Sequence, residues 1–124
     1  MGPSCTEPLP VNTPRQISAA ALQQRLLAGE AIQLVDVRED GELALARIAH
    51  PVVHLPLSRF QDWGPTLNAR LPRDRPVAVL CHAGIRSWQF GCWLIEQQGY
   101  GDVWNLQGGI EAWSIEVDPT VPRY

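Results

Sequence analysis

No lysine occurs in the 124 residues, and all ten basic side chains are arginine. That absence removes a Walker-type phosphate loop, a Schiff-base lysine and a lysine general base together, and leaves any cationic role to Arg. No apolar run approaches the roughly 18 residues of a membrane span. The opening MGPSCTEPLPVNTP also lacks the basic start and apolar stretch of a signal peptide. The expected setting is cytoplasmic, with no membrane partner. An excess of positive charge is missing as well: the formal net charge is −3, which offers no footprint for nucleic acid or an anionic surface. Cysteine is sparse. Cys5, Cys81 and Cys92 cannot all pair within one chain, and no Cys-x-x-Cys or Cys/His cluster points to zinc, so free thiols in a reducing compartment fit. Gly2 and Thr6 match the myristoylation pattern formally, but Pro3 beside the acceptor glycine makes the match a chance one.

What is present is apolar material, 45% of the chain, enough for one compact soluble domain in a length too short for two. Pro3, Pro8, Pro10 and Pro14 keep residues 1–14 out of regular structure as an extended arm, so the domain is expected over residues 15–124. Ser18 is placed to cap a helix over AAALQQRLLAGE, with Leu22, Leu26 and Leu27 on its apolar face and Gly29 as its stop. AIQLVDV then reads as a buried strand ending at Asp36 or Val37. GELALARIA can form a short helix, while Pro51 and Pro56 limit VVHL to a short strand or extended segment. FQDW and LNAR suggest short helical turns. VAVL, residues 77–80, is a four-residue apolar strand, and SWQFGCWLIEQQGY a helix with Trp88, Cys92 and Ile95 at helical spacing and Gly99 as its C-terminal stop. DVWNL is the last strand, GGIEAW a glycine turn opening a helix, and VDPTVPRY a proline-limited tail. Strands alternating with helices define an α/β domain with a mostly parallel sheet, whose sites form at the carboxyl ends of strands. Asp36 and Cys81 both fall at such ends.

The stretch after VAVL carries the functional argument. A strand ending at Leu80 and a helix expected near Ser87 leave six residues, Cys81 to Arg86, to turn the chain. Gly84 allows φ > 0 there, so successive N–H groups can point inward as an anion nest, and the helix start adds unpaired N–H groups and a positive dipole end. A sulfur at Cys81 sits at that focus, in a setting that favours thiolate and equally a persulfide or a bound oxyanion. Arg86 supplies a permanent charge nearby. The competing reading is a small buried hydrophobe, the commoner fate of a lone cysteine. Position just past a strand end, before a glycine turn, favours the reactive thiol.

LVDVRE (34–39), VAVLCHAGIRS (77–87) and VWNLQGGIEAW (103–113) resemble the three signature segments of the rhodanese-like sulfurtransferase domain, in its order and spacing. The resemblance implies an α/β rhodanese-like fold, a central parallel five-stranded sheet flanked by helices on both faces, in which Cys81 accepts a sulfane sulfur as persulfide. RIAHPVVHLPL departs from the Gly-His-Ile-Pro-Gly-Ala of many members. Together with the ending VPRY it is similar to the rhodanese domain of adenylating enzymes that sulfurate ubiquitin-like carriers, which implies a sulfur-carrier protein among the acceptors. The gap between Cys81 and Arg86 is four residues, one shorter than in related cysteine phosphatases on this scaffold, so the ring suits a single sulfur better than a phosphate.

The expected function is transfer of a sulfane sulfur from thiosulfate or another persulfide donor, through a Cys81 persulfide, to a thiol, cyanide or protein acceptor. No metal or organic cofactor is called for. The N–H groups of His82, Ala83, Gly84, Ile85, Arg86 and Ser87 are the expected substrate-binding ring, with Arg86 attracting an anionic donor and Ser87 doubling as the helix N-cap. His82 tunes the opening; a general-base role is its minority reading, since an ionised cysteine needs none. Asp36 and Arg38 are expected as a buried ion pair supporting the strand end. Trp88 and Trp93 face different sides of their helix. His50 and His54 have metal-ligand spacing, but Pro51 spoils the helix that spacing requires. Cys92 reads as inert within the helix and Cys5 as exposed on the arm. Two other classes stay open: a partner-docking or sulfur-sensing module without turnover, and a cysteine phosphatase or arsenate reductase.

Overall fold

The computed structural model describes residues 13–124. Its elements in chain order are β1 (Arg15–Ile17), α1 (Ala19–Leu27), β2 (Gln33–Asp36), α2 (Asp40–Leu45), β3 (Val53–His54), α3 (Phe60–Trp63), α4 (Leu67–Arg70), β4 (Val77–Leu80), α5 (Ile85–Gln98), β5 (Val103–Leu106) and α6 (Gly109–Glu116). The strands form one five-stranded sheet in the order β1-β5-β4-β2-β3, every pair parallel. The extended arm expected over residues 1–14, with Cys5 and the Gly2 pattern, lies outside the described residues except for its last two.

Alternation along β4 explains why helices cover both faces. Val77 and Val79 point into a core shared with Trp63, Leu67, Phe90 and Leu94, from α3, α4 and α5. Ala78 and Leu80 point the other way, into a core with Leu22, Ile110 and Trp113 from α1 and α6. A strand with both faces buried reads as a near-continuous apolar run, and VAVL does. Cys81 continues the alternation toward α5.

Local signals set several boundaries. Ser18 Oγ accepts the Ala21 N–H at 3.1 Å and caps α1, a contact worth about 1 kcal/mol. Gly99 ends α5 in the left-handed region, at φ 76°. The buried face of α5 differs from the expected Trp88, Cys92 and Ile95: it is Ser87, Phe90, Gly91 and Leu94. The reason is Gly91, whose missing side chain lets the helix lie against Pro14 and Val103; a Cβ there would stand 3.0 Å from the Pro14 ring. Strand β1 has no counterpart among the segments legible in the sequence. It is three residues long and is held by pairing with β5, Gln16 opposite Asn105 and Ile17 opposite Leu106, and by burial of Ile17 in the core.

Candidate active site

Strand β4 delivers Cys81 to the carboxyl edge of the sheet, where it is 1% exposed. The turn that follows is shorter than expected, because α5 begins at Ile85 with Gly84 as its N-cap at φ 105°. Ile85, Arg86 and Ser87 therefore belong to the first turn of the helix, and Ser87 is not its cap. The Gly84 N–H donates to Cys81 Sγ at 3.1 Å, and Ser87 Oγ lies 3.2 Å from the same sulfur. Gly84 is required twice, for its φ and because a Cβ would meet the Gly108 nitrogen at 3.3 Å.

The turn between β5 and α6 forms the floor. Ile110 N–H donates to the Cys81 carbonyl at 2.9 Å and Glu111 N–H to the His82 carbonyl at 3.2 Å, so the α6 start holds the backbone of the cysteine loop. Gly109, at φ 61°, makes this approach possible; a Cβ there would fall 2.5 Å from the Cys81 oxygen. Asn105 is buried inside β5 and orients Ser87. Its Nδ2 donates to Gln16 Oε1 at 3.0 Å and to the Gly84 carbonyl at 3.2 Å, which turns Oδ1 toward the Ser87 hydroxyl at 2.5 Å.

A chain of polar groups runs from the end of β2 to the start of α5. Arg38 is wholly buried, with Nη2 at 2.8 Å and Nε at 3.0 Å from the Asp36 carboxylate, and Nη1 donating to Tyr124 Oη at 3.0 Å. Burial disfavours the Arg38 charge, but the hydrogen bonds it donates to Asp36 and Tyr124 outweigh that cost and hold its pKa above the ordinary value. Tyr124 Oη donates a hydrogen bond to Glu42 Oε1 at 2.9 Å. Glu42 in turn accepts from both Arg86 amino groups, each at 2.8 Å, and from the Glu39 N–H at 2.9 Å. The Arg86 pairing, against opposing burial, takes the Glu42 carboxyl down to about 2 and raises Arg86. Burial pushes the Tyr124 phenol up.

His82 stacks on the Tyr124 ring with centroids 4.2 Å apart and an interplanar angle of 16°. Its Nε2 lies 4.0 Å from Glu111, whose other partner is Arg123. Ala83 and Ile85 are exposed on the outer side of the loop. Thus Cys81, Gly84 and Ser87 come together at the sulfur, while Arg86 is turned to Glu42, and Asp36 with Arg38 forms the pair at the strand end. His50 and His54 go to different partners, Gln23 Oε1 at 2.7 Å and the Arg38 carbonyl at 2.6 Å. Trp93 packs on the core beneath α5, and Trp88 is half-buried. Cys92, inside α5, has its thiol pushed up by burial.

Sequence reading missed Glu42, Asn105, Gly109 and Tyr124. Two left a local trace. Asn105 is a polar residue in the otherwise apolar strand VWNL, and Glu42 stands three residues after Glu39 at a helix start, the spacing of a reciprocal cap. Tyr124 left none beyond the resemblance carried by the ending VPRY, since its partners lie as far as 86 positions away.

An all-parallel sheet that feeds a cysteine into a glycine turn at a helix start defines a cysteine-loop α/β domain. The family model described as the Rhodanese-like domain matches residues 18–116, and the chain belongs to that family. A "Sulfurtransferase" of Allochromatium vinosum is 39% identical over 106 residues, covering 86% of this chain and 94% of its own length. "Rhodanese-like/PpiC domain-containing protein 12, chloroplastic" of Arabidopsis thaliana is 40% identical over 103 residues, or 83% of this chain, which spans 33% of that protein. Among solved structures, a rhodanese-related protein from Thermoplasma volcanium superposes with TM-score 0.65 at 30% identity, covering 89% of this chain and 99% of its own. The relatives also include an adenylyltransferase and sulfurtransferase of Zea mays, of whose length the match takes 20%. These relatives support sulfur transfer as the chemistry of the domain, and no helix among the described residues is long and apolar enough to cross a membrane.

Proposed function

We propose that the protein is a thiosulfate- or persulfide-type sulfurtransferase with Cys81 as its nucleophile. The observation that carries this reading is the sulfur itself, at the carboxyl end of β4, with the Gly84 N–H and the Ser87 hydroxyl as its hydrogen-bonding partners. In the first half-reaction the Cys81 thiolate attacks the outer sulfur of a sulfane donor. With thiosulfate, the new S–S bond forms as the donor's S–S bond breaks, and sulfite leaves with the electron pair. In the second, an acceptor such as cyanide or a thiolate attacks the outer sulfur of the persulfide, and the Cys81 thiolate departs. Dividing the transfer in this way gives ping-pong kinetics. The anionic sulfur is held by Gly84, Ser87 and the unpaired N–H groups of the first turn of α5, which include those of Ile85 and Arg86. His82 and Ala83 form the outer loop, and Asp36 with Arg38 keeps the strand end in place. The protein acceptors include a sulfur-carrier protein, and the working compartment is the cytoplasm.

The reading is tested by incubating the protein with thiosulfate and weighing it. The native chain gains one sulfur that cyanide removes, and Cys81→Ser gains none; equal labelling of the variant rules Cys81 out as acceptor. Appreciable hydrolysis of a phosphate ester by the native protein returns the phosphatase class, and absence of turnover with every donor returns the docking module.

A further inference from the structure

The cysteine loop is held from two sides. On the floor, Ile110 N–H, Glu111 N–H and Asn105 Nδ2 donate to the carbonyls of Cys81, His82 and Gly84. On the other side one residue reaches both ends of the loop. The Tyr124 ring stacks on His82, the residue after Cys81, with centroids 4.2 Å apart. The Tyr124 hydroxyl donates to Glu42, whose carboxylate is bidentate to Arg86, the residue before Ser87. Ala83 and Ile85, between those ends, are exposed.

Tyr124 is itself a fixed point. A guanidinium can only donate, so Tyr124 Oη accepts from Arg38 and its single proton goes to Glu42. Arg38 is wholly buried against Asp36 at the end of β2, which ties the tyrosine to the sheet. The segment leading to the ring has anchors of its own. Val121 is 4% exposed and its carbonyl accepts Ser114 Oγ at 2.7 Å, while Arg123 Nε donates to Glu111 at 3.0 Å. Substitutions at position 124 therefore leave the anchors of residues 121 and 123 intact.

We propose that Tyr124 is a positioning residue for sulfur transfer: it clamps the cysteine loop at His82 through its ring and at Arg86 through Glu42, and so keeps the N–H groups between them aimed at the Cys81 sulfur. The inference rests on the reading of Cys81 as sulfur acceptor. Backbone N–H groups stabilise developing negative charge best when they are already in place as it develops, and a loop free to bend has to be ordered in the transition state. Tyr124 acts through His82 and Glu42 and leaves Arg86 paired, so its loss falls on the rate of the transfer step and not on donor binding.

The test follows persulfide formation on Cys81 by mass in a single turnover, over a range of thiosulfate concentrations. Tyr124→Leu removes ring and hydroxyl, and is expected to lower the limiting rate about tenfold while the half-saturating concentration stays within about twofold of native. Tyr124→Phe restores the stack on His82 and brings the rate back to within about threefold of native. In a His82→Ala background the difference between Phe and Leu at position 124 disappears, because the ring has no partner there. Urea titration shows which variants are folded. Should Tyr124→Leu not fold, Tyr124→Phe and His82→Ala carry the test, and native limiting rates in both overturn the proposal. An unchanged rate in a folded Tyr124→Leu, a loss confined to the half-saturating concentration, or full additivity with His82→Ala overturns it as well, while Cys81 stays the acceptor. If the native chain takes up no sulfur, the sulfurtransferase reading fails and the Tyr124 assignment falls with it.

Discussion

The Glu42 carboxylate makes a test of the polar chain at the site, because both its magnitude and its sign follow from the geometry. It accepts from both Arg86 amino groups, from Tyr124 and from the Glu39 N–H, and its pKa falls from 4.5 to about 2. At about 1.4 kcal/mol per unit, that shift sets a ceiling near 3 kcal/mol on its contribution to stability. The side chains of Glu42 and Arg86 are 20% and 35% exposed, so solvent screening brings the expected value to about 1–2 kcal/mol. A carboxylate with a depressed folded pKa contributes fully above its unfolded value and loses the contribution as pH drops toward the folded one. The window is therefore pH 4.5 down to about 2. Glu42→Gln at pH 7 is expected to lower the melting temperature by roughly 3–8 °C. In urea titrations between pH 7 and pH 3 the native protein loses about 1 kcal/mol that the variant does not lose, because the variant has nothing to titrate there. Equal pH slopes for the two proteins refute the assigned role of Glu42.

Other perturbations probe different joints of the same site. Gly109→Ala pushes a methyl group into the Cys81 and His82 carbonyls, and should cost at least about 2 kcal/mol in urea while slowing persulfide loading. Arg38→Met leaves the Asp36 carboxylate buried without its partner; a loss of about 3–5 kcal/mol is expected, and unchanged stability contradicts the pair's structural role. Ser87→Ala strips the hydroxyl from Cys81 and leaves Asn105 Oδ1 short of a donor, for a loss of about 1–3 kcal/mol and a lower rate of sulfur uptake from thiosulfate. Asn105→Leu should slow uptake as well, and an undiminished rate in both variants removes Ser87 from the mechanism.

Much of the fold was readable wherever the cause is local. Ser18 and Gly99 mark helix ends through a side chain or a φ angle, and VAVL and VWNL declare strands by composition. The start of α5 was misplaced by two residues because Ser87 has the chemistry of a cap; in the fold its hydroxyl is claimed by Asn105 and Cys81, and Gly84 caps instead. The face of α5 was misassigned for a similar reason. Large side chains suggest a buried stripe, whereas Gly91, which has none, lies on the buried face close against Pro14 and Val103.

The sequence alone settled the alternation of elements, the position of Cys81 at a strand end and the glycine turn after it, since hydrophobic period and backbone freedom act over a few residues. Tertiary structure decided what surrounds the sulfur. β1 exists because β5 offers it an edge, with Gln16 and Asn105 joined across 89 positions. Arg86 is neutralised by a carboxylate 44 positions earlier, and Tyr124 reaches back 82 positions to the same group. Such contacts have no local signature, because the free energy of an ion pair depends on distance in space and not on separation along the chain.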